Sequence, residues 1–209
     1  MHTFRTYIEE CTCAPISDAD FAVVAGAFTP KKVKRRHYLL QEGEICKHFA
    51  FVVRGALRLY TVDEKGVEHI TRFAVENRWI GDRESYVQLT PSAYSIDSLE
   101  DSEVLLITNT QVQELIQTVP AIAQLARALD QRAYIASQKR LHTFIACTAE
   151  ERYTEFLAKY PDYLRRFPQH MIASYLGISP ETLSRIRTKH LRPKTYCPPL
   201  ETLAVLKPA

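Results

Sequence analysis

The stretch Gln169–Thr188, QHMIASYLGISPETLSRIRT, constrains this chain more than any other. Apolar side chains recur at Ile172, Leu176, Ile178, Leu183 and Ile186, with Ala173 where two helices must approach and Gly177 where the chain must turn. A small residue and a glycine so placed let one helix end and another cross it steeply. Ser179 can cap the second helix through its hydroxyl, and Pro180 suits a first turn that needs no backbone donor. The pattern predicts a helix-turn-helix whose second helix begins near Pro180. On that helix Glu181, Thr182, Arg185 and Lys189 share the face opposite Leu183 and Ile186. Such an edge matches a major groove: arginine can hold guanine O6 and N7, and glutamate can accept from the cytosine amino group.

The surrounding charge agrees. The chain as a whole is only +3, yet between residues 165 and 194 Arg165, Arg166, Arg185, Arg187, Lys189, Arg192 and Lys194 face the single acid Glu181. That is the footprint of phosphate contact. It assigns Ser179, Thr182, Arg187, Lys189 and Arg192 to the DNA backbone, and Glu181 and Arg185 to the bases. A length of 209 residues with 46% apolar side chains supports one large domain or two modest ones. Five irregularly spaced cysteines make no disulfide framework, and Cys11 and Cys13, with only Cys46 near, complete no metal set. Without a signal-peptide core or an apolar run of membrane-span length, the expected protein is soluble and cytoplasmic with reduced thiols.

Residues 1–30 read as two short helices, one facing inward through Phe4, Tyr7 and Ile8, the other capped by Ser17 and facing inward through Phe21, Val24 and Ala25. Short extended runs follow at residues 34–40, 49–53, 56–62, 69–75, 94–99 and 104–107, punctuated by turn residues such as Arg54-Gly55 and Asp63–Gly66. From Pro120, the three- and four-residue spacing of Ile122, Leu125, Leu129, Ala133, Ala136, Leu141, Phe144 and Ile145 predicts a long helix that pairs with its own copy. Thr148 and Glu151 have capping-box spacing at the next helix start. The expected class is α+β: an N-terminal double-stranded β-helix (jelly roll) sensor domain with helices over 1–118, a dimerisation helix over 119–147 and a C-terminal helix-turn-helix domain over 148–209. In the proline-rich tail only Leu200–Leu206 suits a short helix.

Phe51–Tyr60, FVVRGALRLY, resembles the strand-glycine-strand signature of the Crp/Fnr regulators, the family of the cyclic-AMP receptor protein and the oxygen-sensing Fnr proteins. Ile178–Ile186, ISPETLSRI, resembles that family's recognition helix, and the likeness extends over nearly the whole chain. It implies a homodimeric transcription regulator, not an enzyme, with a cyclic nucleotide-binding-like sensor domain. Its partners would be double-stranded DNA carrying an inverted-repeat operator and, further, RNA polymerase. Glu181 and Arg185 fall on two of the family's base-contacting positions, while Pro180 stands where relatives often carry a third, an arginine.

By the same likeness an effector pocket falls on Gly81, Asp82, Arg83, Ser92, Ala93, Ser137 and Gln138. Nucleotide-binding relatives neutralise the cyclic phosphate with an Arg-Ser or Arg-Thr pair, where this chain has Pro91 or Ser92. Removing one side of a buried ion pair costs about 3–5 kcal/mol. Cyclic AMP is therefore not the expected effector, and no cofactor is assigned. Two alternatives stand beside this reading. Arg83 could replace the missing arginine and retain a cyclic nucleotide, or His37, His48, His69 and Glu68 could serve a metal-dependent, cupin-like jelly-roll enzyme, although they lack a His-x-His pair.

Overall fold

In the computed structural model, which describes residues 1–191, two four-stranded antiparallel sheets face each other and each is backed by helices. Two helices, α1 (His2–Thr12) and α2 (Asp18–Ala27), lead into strands β1 (Thr29–Val33), β2 (Tyr38–Leu40), β3 (His48–Arg54), β4 (Leu57–Val62), β5 (Glu68–Ala74) and β6 (Trp79–Ile80). After α3 (Arg83–Gln88) come β7 (Ser95–Ser98), β8 (Ser102–Thr108), α4 (Asn109–Thr118) and the long α5 (Pro120–Ala146). The chain then runs through α6 (Ala149–Lys159), α7 (Tyr163–Arg166), α8 (Gln169–Leu176) and α9 (Pro180–Leu191). One sheet has the order β1-β8-β3-β6 and the other β2-β7-β4-β5.

Strands β3 and β8 read as near-continuous apolar runs because both of their faces are covered. In β3 and β8, Ala50, Val52, Val104 and Leu106 point between the sheets, while Phe51, Leu105 and Ile107 point outward under the helices. Phe4, Ile8, Leu115, Ile122 and Leu125 from α1, α4 and α5 cover that outer face. The outer face of the other sheet, through Ala56, Tyr60, Ile70 and Phe73, packs on α6, α8 and α9. Gly55 turns the chain between β3 and β4 at φ +103°, and a Cβ there would lie 2.1 Å from Ser102 Oγ, so both conformation and space require glycine.

Two expectations are corrected and two short elements are added. The run at 34–40 is not one strand: β1 begins earlier, and residues 34–37 form a turn in which Arg36 is left-handed at φ 65°. That turn is held by Asp101, which accepts from Lys34 Nζ at 2.8 Å and from the Arg35 amide at 3.0 Å. Next, β6 and α3 went unforeseen, being too short to show a period. Finally, Ile122 and Leu125 are buried and Leu129 is partly covered against the sensor body, so this half of α5 is not a pairing seam. Tyr134, Ile135, Leu141, Phe144 and Ile145 on its later half remain exposed. The helix expected at Leu200–Leu206 lies outside the described residues.

Candidate nucleic-acid interface

Local chemistry builds the α8–α9 pair. Helix α8 ends at Gly177 (φ 64°), where the Ile178 amide donates back to the Ala173 carbonyl at 3.0 Å and closes a left-handed cap. Ile172, Ala173, Leu176, Leu183 and Ile186 are buried together, which sets the crossing of the two helices. Ser179 caps α9, its Oγ accepting from the Thr182 amide at 3.2 Å. Phe144 from the last turns of α5 covers Gly177, where a Cβ would meet its ring at 2.7 Å. Arg140, one turn earlier, stacks 4.1 Å over the Tyr175 ring and donates to the Tyr175 carbonyl at 3.2 Å.

With Leu183 and Ile186 turned inward, Glu181 and Arg185 stand exposed on the opposite face of α9. Arg185 lies close enough to help hold the Glu181 carboxyl below the usual range, after the larger effect of the Ser179 side chain. The remaining sequence-assigned contacts divide. Ser179 and Thr182 bring their hydroxyls to 3.1 Å of each other at the cap, and Arg187 lies half-buried beside Tyr153. Lys189 is engaged by Glu150 at the start of α6, Nζ to Oε2 2.8 Å, and holds the Glu150 carboxyl below its ordinary range. Arg192 lies outside the described residues.

Both members of the Lys189–Glu150 pair are exposed, so a phosphate can displace the carboxylate. Glu150→Gln is therefore expected to raise affinity for all DNA sequences alike and to steepen the log–log salt slope by up to about 0.9. Titrations at several salt concentrations check it, and a weaker-binding variant would contradict it.

Arg166, which the sequence placed in the phosphate footprint, is turned inward. Its guanidinium forks between two sensor-domain carboxylates: Glu76 receives Nη1 at 2.7 Å and Nη2 at 2.9 Å, and Glu100 receives Nε at 2.7 Å and Nη2 at 2.9 Å. The Arg166 bonds hold the Glu76 carboxyl down at about 2. Beside this clamp Phe73 stacks on Phe167 with ring centroids 4.3 Å apart. Ser174 of α8 accepts from the Ile70 amide at 2.9 Å and donates to the Glu68 carbonyl at 2.7 Å, covering the free edge of β5 as a neighbouring strand would. None of these pairings carried a sequence signal, since the partners lie 66 to 106 positions apart.

Of the seven effector-pocket positions, Asp82 and Ser92 are joined by a side-chain hydrogen bond. Asp82 is buried, accepts from the Glu84 amide at 3.1 Å and lies 2.8 Å from Ser92 Oγ, so both side chains are satisfied internally. Gly81 is packed under the Phe49 ring, and Ala93 is exposed. Arg83 points outward to Asp130 on α5 at 2.9 Å, and Ser137 and Gln138 are exposed on α5 without a hydrogen bond to this segment. The candidate metal residues are also apart. His69 pairs with Asp63 and Glu68 with Arg58, while His37 sits in the 34–37 turn. Among the described residues no group of three or more metal-binding side chains comes together.

Residues 30–119 match the family described as the cyclic nucleotide-binding domain. The chain is 25% identical over 174 residues to the transcriptional activator protein anr of Pseudomonas aeruginosa, covering 76% of this chain and 69% of that protein. It is 26% identical over 167 residues to the electron transport regulator A of Shewanella oneidensis, covering 75% and 66%. The solved structure of FixK2 from Bradyrhizobium japonicum shares the fold with a TM-score of 0.64 at 20% identity, over 78% of this chain and 83% of that one.

Proposed function

The chain belongs to the Crp/Fnr family of regulators, and on that footing we propose that it is a homodimeric transcription regulator. It places α9 of each copy in successive major grooves of an inverted-repeat operator, about 34 Å apart. The observation that carries this reading is the exposed Glu181–Arg185 edge, fixed by the burial of Leu183 and Ile186 behind it. Arg185 and Glu181 read bases, and Lys189 holds a phosphate after leaving Glu150. The exposed apolar side chains of α5 meet a second copy, and the bond and stack from Arg140 to Tyr175 join that pairing helix to the reading head. No described helix is long and apolar enough to cross a membrane.

The sensor domain keeps the cyclic nucleotide-binding fold without a cyclic nucleotide. Asp82 and Ser92 satisfy each other, and Arg83 is drawn away to Asp130, so no cation faces a phosphate in that segment. The function is tested by selecting bound sequences from a random DNA pool, with a symmetric site as the expected product. Arg185→Ala is expected to lose about 1–3 kcal/mol of discrimination at one base pair of each half-site. An unchanged preference in that variant would remove Arg185 from base reading.

A further inference from the structure

A cleft of about 460 Å³ opens between the two sheets, on the side of their edge strands β1 and β2. Its floor is aliphatic: Leu40, Ile96 and Leu106 belong to the inter-sheet core, and Leu39 is half-buried beside them. Protein interiors close such spaces with side chains, and this one falls in the size range of small-molecule sites, about 300–1,000 Å³. Cys46 forms part of the wall. Its thiol lies 3.3 Å from the His48 carbonyl and burial pushes its pKa up, so it packs and does not react.

The rim is cationic. Lys31, Lys47 and His48 border the cleft, and none of the three side chains makes an ion pair or hydrogen bond among the described residues. Burial, then Lys31 and Lys47, hold the His48 imidazole below its ordinary range, so both ammonium groups bear on one point and the ring is neutral at neutral pH. The one acid in the lining, Glu44, is committed to the Gln41 amide, which donates to its Oε2 at 2.9 Å. A lysine on an edge strand deters pairing with other chains, which accounts for Lys31 on β1. It does not account for Lys47, which stands in the loop before β3.

Ammonium groups without a counter-charge, set over an aliphatic floor, fit a ligand with one negative charge at the end of an apolar body. The lining holds no arginine, whose fork suits phosphate oxygens, and no phenylalanine, tyrosine or tryptophan on which a ring would stack. None of the seven positions that the family likeness marks for an effector lines this cleft. Its 44–46 loop is nevertheless bonded to that segment: the Cys46 amide donates to Ser85 Oγ and the Ser92 amide to the Glu44 carbonyl, each at 2.8 Å.

We propose that the cleft binds an aliphatic monocarboxylate of medium chain length, its carboxylate held by Lys31 and Lys47 and its chain received by Leu40, Ile96 and Leu106. Calorimetric titration of the full chain at low salt, without DNA, tests this with decanoate, 1-decanol and propionate. Decanoate is expected to bind. Decanol has the chain without the charge and propionate the charge without the chain, and each is expected to bind at least about tenfold more weakly. Lys47→Met, at an exposed position, is expected to weaken decanoate about tenfold and to leave decanol unchanged. Leu39→Trp, which fills the cleft, is expected to weaken both.

Equal binding of decanoate and decanol to the wild type would overturn the proposal, as would absence of decanoate binding. A Lys47→Met chain that binds decanoate as the wild type does, or that loses both probes alike, would overturn it too. Tighter binding of decyl phosphate than of decanoate would overturn the carboxylate class. Should Leu39→Trp not fold, Lys47→Met decides, since an exposed side chain makes no packing demand. Because α9 takes no part, a chain that failed to read DNA would leave this site standing.

Discussion

A chain carrying Leu141→Glu and Ile145→Glu is expected to sediment as a single copy and to bind its operator about 10²–10⁴-fold more weakly. Leu141 is 56% and Ile145 77% exposed, high values for aliphatic side chains on a helix this long. With Tyr134 they fall at spacings of seven and four, one stripe of α5 that no described residue covers. Carboxylates there cost little in the single chain, because both sites face water. Across a pair of helices they would bring like charges together in place of apolar contact. Each half-site would then be bound alone, without the effective concentration that a linked second reading head supplies. Sedimentation and operator titration measure the two consequences separately, and an unchanged melting transition shows that the fold is intact. A variant that stays dimeric would move the pairing surface away from this stripe.

The same helix shows where sequence reasoning reaches its limit. A three- and four-residue repeat marks a stripe to be covered but not what covers it, so Ile122 and Leu125 looked like the seam while packing on the chain's own sensor body. The α8–α9 pair was legible because its determinants are local. Gly177, Ser179 and Pro180 act within four residues, and the buried and exposed faces of α9 follow its period. Most strands were legible for a similar reason, yet β1 was not, because four of its five residues, Thr29 to Lys32, are exposed and carry no apolar run to mark it. Arg166, Lys189 and Arg58 were the least legible. A cation in sequence carries no mark of its partner, and these three meet Glu76 and Glu100, Glu150, and Asp97 and Glu68 across 10 to 90 positions.

Arg166→Ala is expected to destabilise the protein by about 1–3 kcal/mol at neutral pH, measured by urea unfolding. Four charge-assisted hydrogen bonds would be lost, and the Glu76 and Glu100 carboxylates would be left side by side beneath the reading head without their cation. The cost stays below the 3–5 kcal/mol typical of a fully buried pair because each carboxylate side chain is 38% exposed. The acid limb gives the effect its signature. Arg166 depresses the Glu76 carboxyl to about 2 in the folded chain, against about 4.3 for an unfolded glutamate. The folded form therefore binds this proton less readily than the unfolded form. The stability it contributes is present in full above the unfolded value and is lost as pH falls through the folded one. Wild type and variant should thus differ most above about pH 5 and converge toward pH 2. Arg166→Lys should fall between them, since an ammonium keeps the charge but cannot fork to two carboxylates. A difference that stays constant from pH 7 to the acid limit would mean that Arg166 acts through packing beside Phe167 and not through Glu76.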